Sequence, residues 1–258
     1  STSEEKARIL NELSEKLDKK AVEKSFSYAK KALKYSEQEN QPKQKARALK
    51  NISKYLIKQG LYNEADEKLK VALNICDSLN FRTLKGEVLI NQGIIMEMKS
   101  DYEIALDKYQ TALTIFEETQ DKKNISDALN NLGILYKELE EYRKSLEYYK
   151  KSLEIQKEMN NKAGVAVLLN NIGIIYDLLG DAENALKSYR EALRYNEELN
   201  NAFAVSYLQH NIALIYKDIG KYGQAMEYFN RSLVTTKKLN NEQALVYLYH
   251  NIGDLYYL

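Results

Sequence analysis

The sequence has little of what breaks helices, cross-links chains or spans membranes. It contains one proline, ten glycines and no tryptophan in 258 residues, whereas lysine, glutamate, leucine, alanine and tyrosine are frequent. Strong helix formers therefore dominate a chain that is nearly free of helix-breaking proline, and this composition favours an all-α fold. The length allows either two ordinary domains or one elongated domain.

The single cysteine, Cys76, excludes an intrachain disulfide and leaves the redox compartment open. We expect it to be a small buried apolar side chain. The longest apolar runs, such as GVAVLL at 164–169, fall far short of the roughly 18 residues that span a bilayer. The first residues, STSEEKARIL, lack the basic-then-apolar pattern of a secretory signal. The compartment stays open between the cytoplasm and a bacterial periplasm.

Neither charge sign is in excess, since 38 Lys and Arg face 37 Asp and Glu for a formal net charge of +1. This balance gives no global reason to expect a nucleic acid or an anionic membrane as partner. The sequence also lacks a Gly-rich phosphate loop, a Ser or Cys nucleophile with a suitable base, and a paired-acid motif. We therefore predict no enzymatic activity and no cofactor.

What the sequence does contain is one pattern that returns every forty residues. An asparagine followed by an apolar run recurs as NISKYL at 51, NQGIIM at 91, NLGILY at 131, NIGIIY at 171, NIALIY at 211 and NIGDLY at 251. A weaker copy, NELSEKL, begins at Asn11. A second pattern follows about fourteen residues after each asparagine, as in ALDKYQTAL at 105 and ALKSYREAL at 185.

Both halves of this repeat predict amphipathic helices, because their apolar positions recur at intervals of three and four. Short turns separate the halves, so the unit is helix, tight turn, helix and loop, with about seventeen residues per helix. Glycine or asparagine suits the left-handed conformation that ends a helix. The residues predicted to end helices in this way are Gly60, Gly180, Gly220, Asn160, Asn200 and Asn240.

Local signals also mark where helices begin and how they pack. Pro42 stands where a helix needs no amide donor, and Asp101 and Asp181 are predicted N-caps. Small residues predict close contact between helices at Ala65, Ala105, Ser145, Ala185 and Ala225. A lone helical hairpin cannot cover its apolar face, so successive units must stack into a solenoid. We predict a single solenoid domain over 1–258, with units at approximately 3–40, 41–80, 81–120, 121–160, 161–200 and 201–240 and a partial unit at 241–258.

The repeat resembles the tetratricopeptide repeat (TPR). Gly173, Tyr176, Ala185, Tyr189 and Ala192 match its pattern of Gly, Tyr, Ala, aromatic and Ala, and the resemblance covers nearly the whole chain. It implies a right-handed superhelical solenoid of antiparallel helix hairpins, here six hairpins plus one terminal helix. Positions such as Tyr109 and Tyr149 match the aromatic position of the family and are expected to be core packing.

The chain departs from the usual pattern in three ways. Leu129 and Leu169 replace the usual Trp, the Pro that ends the unit is missing, and the period is forty instead of about 34. We expect the additional residues to lengthen the second helix of each unit. The longer repeat is similar to those of Pins-type scaffolds, peptide-pheromone receptors of the Rap and PlcR type, and bacterial TPR sensor proteins.

The resemblance implies that a partner binds on a concave side lined by the first helix of each unit. In peptide-binding members an Asn in that helix holds the ligand backbone, since its amide can pair with both an N–H and a C=O. The resemblance implies the same role for the asparagines at the matching positions, which are Asn51, Asn91, Asn131, Asn171, Asn211 and Asn251. The sequence leaves open a structural alternative, in which these amides bond to a neighbouring helix or to water and fix the stacking.

The residues around this ladder of asparagines differ between the two ends of the chain. Arg47, Lys50, Lys54 and Lys58 share one helix face with Asn51, which predicts an electropositive end that receives an acidic segment or a C-terminal carboxylate. The alternative is a solvated lysine-rich face.

Towards the C terminus the same face becomes aromatic. Tyr207, His210 and Asn211 recur as Tyr247, His250 and Asn251. The two histidines would lie on adjacent helices, but no cysteine or carboxylate cluster with ligand spacing joins them, so no metal site is predicted. We expect them to line the groove, where a histidine contact can also respond to pH.

The last unit stops at NIGDLYYL, after its first helix. We expect either that the chain is a fragment or that this uncapped end contacts another molecule, for example in an oligomer. The predicted function is a protein- or peptide-interaction module, the sensing part of a larger bacterial signalling or regulatory protein. The alternative is a structural scaffold or oligomerisation array with no peptide ligand.

Overall fold

A computed structural model describes the backbone of residues 3–17 and 21–257, and side chains from residue 5 onward within these ranges. Over this part of the chain the structure is entirely α-helical and has thirteen helices without a strand. The helices are α1 (Ser3–Leu17), α2 (Val22–Gln38), α3 (Pro42–Lys58), α4 (Tyr62–Ser78), α5 (Arg82–Met98), α6 (Tyr102–Glu118), α7 (Lys122–Glu138), α8 (Tyr142–Glu158), α9 (Lys162–Leu178), α10 (Ala182–Glu198), α11 (Ala202–Asp218), α12 (Tyr222–Lys238) and α13 (Glu242–Leu255). The odd-numbered helices are the first helices of the predicted units, and the even-numbered ones are the second helices.

The helices are nearly uniform in length. Each helix from α2 to α12 has 17 residues, and three residues connect each of these to the next. The additional residues of the longer repeat were expected to lengthen the second helix of each unit, but first and second helices are equally long, so the second helix is not the longer of the two.

Each described three-residue connection between helices contains a residue in the left-handed conformation. Gly60, Gly180 and Gly220 have φ values of 72° to 74°, and Asn160, Asn200 and Asn240 have values of 51° to 53°, as predicted. The amide of the next residue then reaches back to the preceding turn, as Leu61 N does to Leu56 O at 2.9 Å, which satisfies a carbonyl that the helix leaves free. Sequence reasoning missed the same conformation at Asn40, Asn80, Ser100, Gln120 and Glu140.

The three predicted helix starts are confirmed in position, but one of them lacks the predicted side-chain hydrogen bond. Pro42 begins α3 in its first turn. The side chain of Asp181 accepts a hydrogen bond from Asn184 N at 3.1 Å, which makes it a side-chain N-cap of α10. Asp101 holds the N-cap position of α6 without such a bond, so its predicted capping interaction is absent.

The core is built from small residues that let helices approach and from large rings that fill the space between them. The predicted contact residues on second helices have no exposed surface: Ala65, Ala105, Ser145, Ala185 and Ala225. Tyr109 is fully buried against Gly93, where an added Cβ would lie 2.4 Å from the ring, and Tyr189 packs on Gly173 in the same way. Cys76 is 1% exposed, as expected of an apolar core residue.

The chain divides into two compact units, Ser1–Leu135 and Tyr136–Leu258, called here the N-terminal and the C-terminal unit. The boundary falls inside α7. None of the helices in the described ranges combines the length and the apolar content that crossing a bilayer would require.

Candidate functional site

An ion network joins the first helices of the N-terminal unit. Lys50 on α3 is 3% exposed, and its ammonium contacts Glu15 of α1 at 3.1 Å and Glu87 of α5. Arg47, one turn earlier on α3, donates from Nε to Glu15 Oε1 at 2.8 Å. Two cations thus face two carboxylates, and the network links three consecutive first helices.

The pKa values show how strongly these groups are coupled. Burial alone would raise the pKa of Glu15, but the hydrogen bond from Arg47 and the charge of Lys50 outweigh it and lower the pKa from 4.5 to about 2. For Lys50, burial alone would lower the pKa, but the carboxylates of Glu87 and Glu15 raise it above its usual value. Two of the four cations that were predicted to attract an acidic partner, Arg47 and Lys50, are therefore engaged within the protein. Of the other two, Lys54 is half-buried and Lys58 is exposed.

The asparagine ladder is sealed at this end. Asn51 is 5% exposed and Asn91 3% exposed. The amide of Asn51 lies 3.4 Å from both the backbone and the side-chain oxygen of Asn11, on the preceding first helix. Asn51 Oδ1 and Asn91 Nδ2 are buried without a hydrogen-bond partner. The contact with Asn11 supports the stacking alternative for Asn51, and the side chains of both Asn51 and Asn91 are closed to solvent.

The remaining members of the ladder are more accessible. Asn131, Asn171, Asn211 and Asn251 are all half-buried. Asn251 donates to the carbonyl of Tyr247 at 3.1 Å, and Asn171 Oδ1 lies 3.4 Å from the amide of Asn170. A binding role for these four stays a prediction.

The first helices of the C-terminal unit carry an exposed apolar stripe. The stripe consists of Val167 on α9, Tyr207 on α11 and Tyr247 on α13, which are 56%, 49% and 61% exposed. These residues occupy the repeat position that Arg47 and Glu87 hold in the N-terminal unit. A row of large exposed apolar side chains is a candidate contact surface.

A cleft of about 170 Å³ lies at one end of the stripe, between α11, α12 and α13. Its walls are formed by Phe203, Tyr207, His210, Leu239, Tyr247 and Leu248. Three hydroxyl residues, Ser206, Ser232 and Thr236, are almost fully buried and form its floor. The cleft brings together three of the sequence-predicted residues, namely Tyr207, His210 and Tyr247.

The two histidines have different surroundings. His210 is half-buried with its ring edge-to-face on Phe229, the ring centroids being 5.5 Å apart. Burial, and secondly the charge of Lys217, lower the pKa of His210 below its usual value, so the imidazole is neutral at physiological pH. The side chain of His250 is 75% exposed, and its Nε2 lies 3.6 Å from Asp254. The described residues contain no group of three or more His, Cys, Asp or Glu that could hold a metal ion.

Sequence reasoning missed Phe203 and the hydroxyl floor. The available signal was the alignment of the chain in rows of forty, in which Thr236 stands where Gln156 and Asn196 stand in the two preceding units. A side chain smaller than the amides of the two preceding units predicts a local void at this position.

Comparisons with known proteins agree with the fold. Models of the tetratricopeptide repeat match residues 84–158 and 124–198, and a further one matches residues 206–233. Together these matches cover more than half of the chain. A comparison with curated protein sequences gave no match.

Several solved structures are similar. A signal-transduction ATPase (STAND protein) with a TPR sensor from Pyrococcus horikoshii is 19% identical with a TM-score of 0.80, over 94% of this chain and 37% of that one. The quorum sensor NprR from B. thuringiensis, in its apo form, is 18% identical with a TM-score of 0.74, over 96% of this chain and 68% of that one. A Rap protein complexed with competence and sporulation factor is 13% identical with a TM-score of 0.72, over 97% and 74%.

At 13% to 19% identity the similar structures show a shared fold, whereas the repeat models match the amino-acid sequence of this chain. The buried small residues, the ring-on-glycine contacts and the matched residues all agree with one repeat type. The chain belongs to the tetratricopeptide-repeat family.

Proposed function

We propose that the chain is a protein- or peptide-interaction module whose partner binds on the first helices of the C-terminal unit. The observation that carries this proposal is the apolar stripe of Val167, Tyr207 and Tyr247, exposed at forty-residue intervals. Tyrosine is enriched at binding surfaces, because a rigid ring supplies a large contact area at a small entropic cost and its hydroxyl pairs with polar groups.

The half-buried asparagines support an extended peptide as the partner. Asn171 and Asn211 lie four residues after Val167 and Tyr207, so each shares a helix face with one member of the stripe. A peptide laid across these helices would place side chains on the stripe and its backbone within reach of the carboxamides, each of which offers a donor and an acceptor.

An acidic preference at the N-terminal end is not part of the proposal. Arg47 and Lys50 are already neutralised by Glu15 and Glu87, and releasing Lys50 would leave two partly buried carboxylates short of a partner. Asn51 and Asn91 are likewise left out, since both are sealed from solvent.

Tetratricopeptide repeats are in general interaction modules, so the proposed role involves no catalysis. The similar structures include a TPR sensor within an ATPase, a quorum sensor and a Rap protein with a bound factor. These neighbours support the further proposal that the chain is the sensing part of a larger regulatory protein.

Selection from a random peptide library displayed on phage tests the proposal. The full chain should retain a set of related peptides, and Tyr207→Lys or Tyr247→Lys should weaken their binding at least tenfold. Val234→Lys is the matched control, because Val234 is 55% exposed on the second helix α12. If no peptide is retained, or if Val234→Lys weakens binding as much as the tyrosine variants, the proposal is wrong.

A further inference from the structure

The cleft beside the apolar stripe lies where α12 carries Thr236, at a position that the two preceding second helices, α10 and α8, fill with an amide; α2, α4 and α6 carry Ser36, Cys76 and Phe116 there. In α10 the equivalent residue is Asn196, whose amide donates to Ala192 O at 2.9 Å and whose Oδ1 accepts from Asn201 at 3.0 Å. In α8 the equivalent is Gln156, whose Oε1 accepts from Asn161 at 2.7 Å. These amides occupy the space between a second helix and the following first helix.

Thr236 does not occupy this space. Its hydroxyl contacts Ser206 on α11 instead of reaching towards Asn241, the counterpart of Asn161 and Asn201. Asn241 caps α13 by accepting from Ala244 N at 3.1 Å, and it lines the cleft. The cleft thus lies where α8 and α10 each place an amide pair.

The lining of the cleft is mainly apolar, and its polar members are the hydroxyl floor, His210 and Asn241. Ser232 donates to the carbonyl of Ser206 at 2.8 Å, and Ser206 Oγ lies 3.1 Å from Ser232 Oγ and within hydrogen-bond distance of Thr236 Oγ1. A hydroxyl carries one hydrogen and two lone pairs, so the contact with Ser206 leaves Thr236 with unused hydrogen-bonding capacity. Apart from His210, which is neutral at physiological pH, no titrating Asp, Glu, Lys or Arg lines the cleft, which excludes a charged side chain as its natural occupant.

The volume fits one aromatic ring. A cavity of about 150 Å³ lined by apolar side chains accommodates benzene, and this cleft has a volume of about 170 Å³. Phe203, Tyr207 and Tyr247 stand exposed at its rim, where they can pack against the faces and edges of an entering ring.

From this geometry we infer that the cleft is a specificity subsite for one tyrosine side chain of the partner. The ring packs between Phe203, Tyr207 and Tyr247, and its hydroxyl bonds to the free side of Thr236. Phenylalanine fits the same volume but leaves the buried hydroxyl without this bond, so it binds more weakly. The inference rests on the proposed peptide-binding function for its biological meaning, while the cleft can be tested on its own.

The first test uses p-cresol and toluene, which reproduce the side chains of tyrosine and phenylalanine. Binding to the full chain is followed by ligand-observed NMR and by shifts of the His210 ring resonances. We expect p-cresol to bind several-fold more tightly than toluene and to shift the His210 signals. No binding of p-cresol, or tighter binding of toluene, would refute the assignment of tyrosine.

The cleft is then closed with residues that the repeat itself supplies. Thr236→Asn introduces the residue that α10 carries at this position, and Thr236→Gln introduces that of α8, so that one remains if the other folds poorly. Val234→Asn, on the exposed side of the same helix, is the matched control. Both closing variants should weaken p-cresol binding at least tenfold, and the control should not. If all three variants bind p-cresol equally, the ligand does not bind in the cleft and the inference is wrong.

The same variants separate this inference from the proposed function. If both are correct, peptides selected on the full chain are enriched in tyrosine and lose affinity for Thr236→Asn. If only the module function is correct, peptides are selected without this enrichment and bind Thr236→Asn unchanged. If p-cresol binds the cleft while no peptide is selected, the proposed function fails and the subsite stands.

Discussion

Replacing Glu15 by glutamine tests whether the ion network is a structural link between first helices. A lowering of the pKa of Glu15 from 4.5 to about 2 corresponds to about 3 kcal/mol of stability, at about 1.4 kcal/mol per pH unit. The side chain of Glu15 is 27% exposed, so solvent screening reduces the expected contribution to about 2 kcal/mol. Glu15→Gln should therefore lower the free energy of unfolding by about this amount at neutral pH.

The effect has a defined pH dependence. Because the pKa of Glu15 is lower in the folded than in the unfolded chain, its stabilisation is fully present above pH 4.5 and is lost as the pH falls towards about 2. The difference between the native sequence and Glu15→Gln should therefore be constant from neutral pH to about pH 5 and shrink steadily below it.

Urea denaturation followed by far-ultraviolet circular dichroism, repeated across this pH range, measures the difference. Glu67→Gln is the matched control, because Glu67 is 76% exposed and its Oε1 lies 3.9 Å from Lys70 Nζ, a distant surface pair. We expect the control to change stability by less than about 0.5 kcal/mol. If the two variants behave alike at neutral pH, or if the effect of Glu15→Gln does not vary with pH, the network is not a structural link and its cations are again candidates for binding.

Two further comparisons test the packing and the caps. Gly93→Ala places a Cβ 2.4 Å from the buried Tyr109 ring and should cost about 1 to 3 kcal/mol, whereas Gly253→Ala meets open space and should stabilise its helix by about 0.5 to 1 kcal/mol. Asp181→Ala removes a side-chain cap and should cost about 1 kcal/mol, more than Asp101→Ala, whose side chain makes no such bond. Urea denaturation measures both pairs, and equal effects within either pair would contradict the contact assigned to it.

The helices and turns were predictable because they depend on residues close together in the chain. The apolar spacing fixes each helix, and Gly60 or Asn160 marks its end because these residues adopt positive φ at little cost. Ser100, Gln120 and Glu140 take the same conformation without such a preference. There the three-residue connection imposes it, and hydrogen bonds back to the preceding turn compensate, as from Asp101 N to Met96 O at 2.9 Å.

The role of Lys50 could not be predicted in this way. Its helix face follows from its spacing to Arg47 and Asn51, and that part of the expectation agrees with the structure. Its burial depends on Glu15 and Glu87, which lie 35 and 37 residues away and come from the helices on either side. The helix face on which a residue lies follows from its neighbours in the sequence, whereas the residues packed against that face come from distant parts of the chain. A row of cations was therefore interpreted as a binding surface.

Contacts between residues distant in the sequence also distinguish the two ends of the asparagine ladder as candidate binding sites. At the N-terminal end the polar side chains of adjacent first helices pair with one another. Glu15 and Glu87 form ion pairs with Arg47 and Lys50, and the amide of Asn51 donates to Asn11. At the C-terminal end the equivalent positions hold Val167, Tyr207 and Tyr247, which stay exposed. A repeat surface is available to a partner only where adjacent repeats do not already satisfy each other, and in this chain that condition is met by the tyrosines and not by the cations.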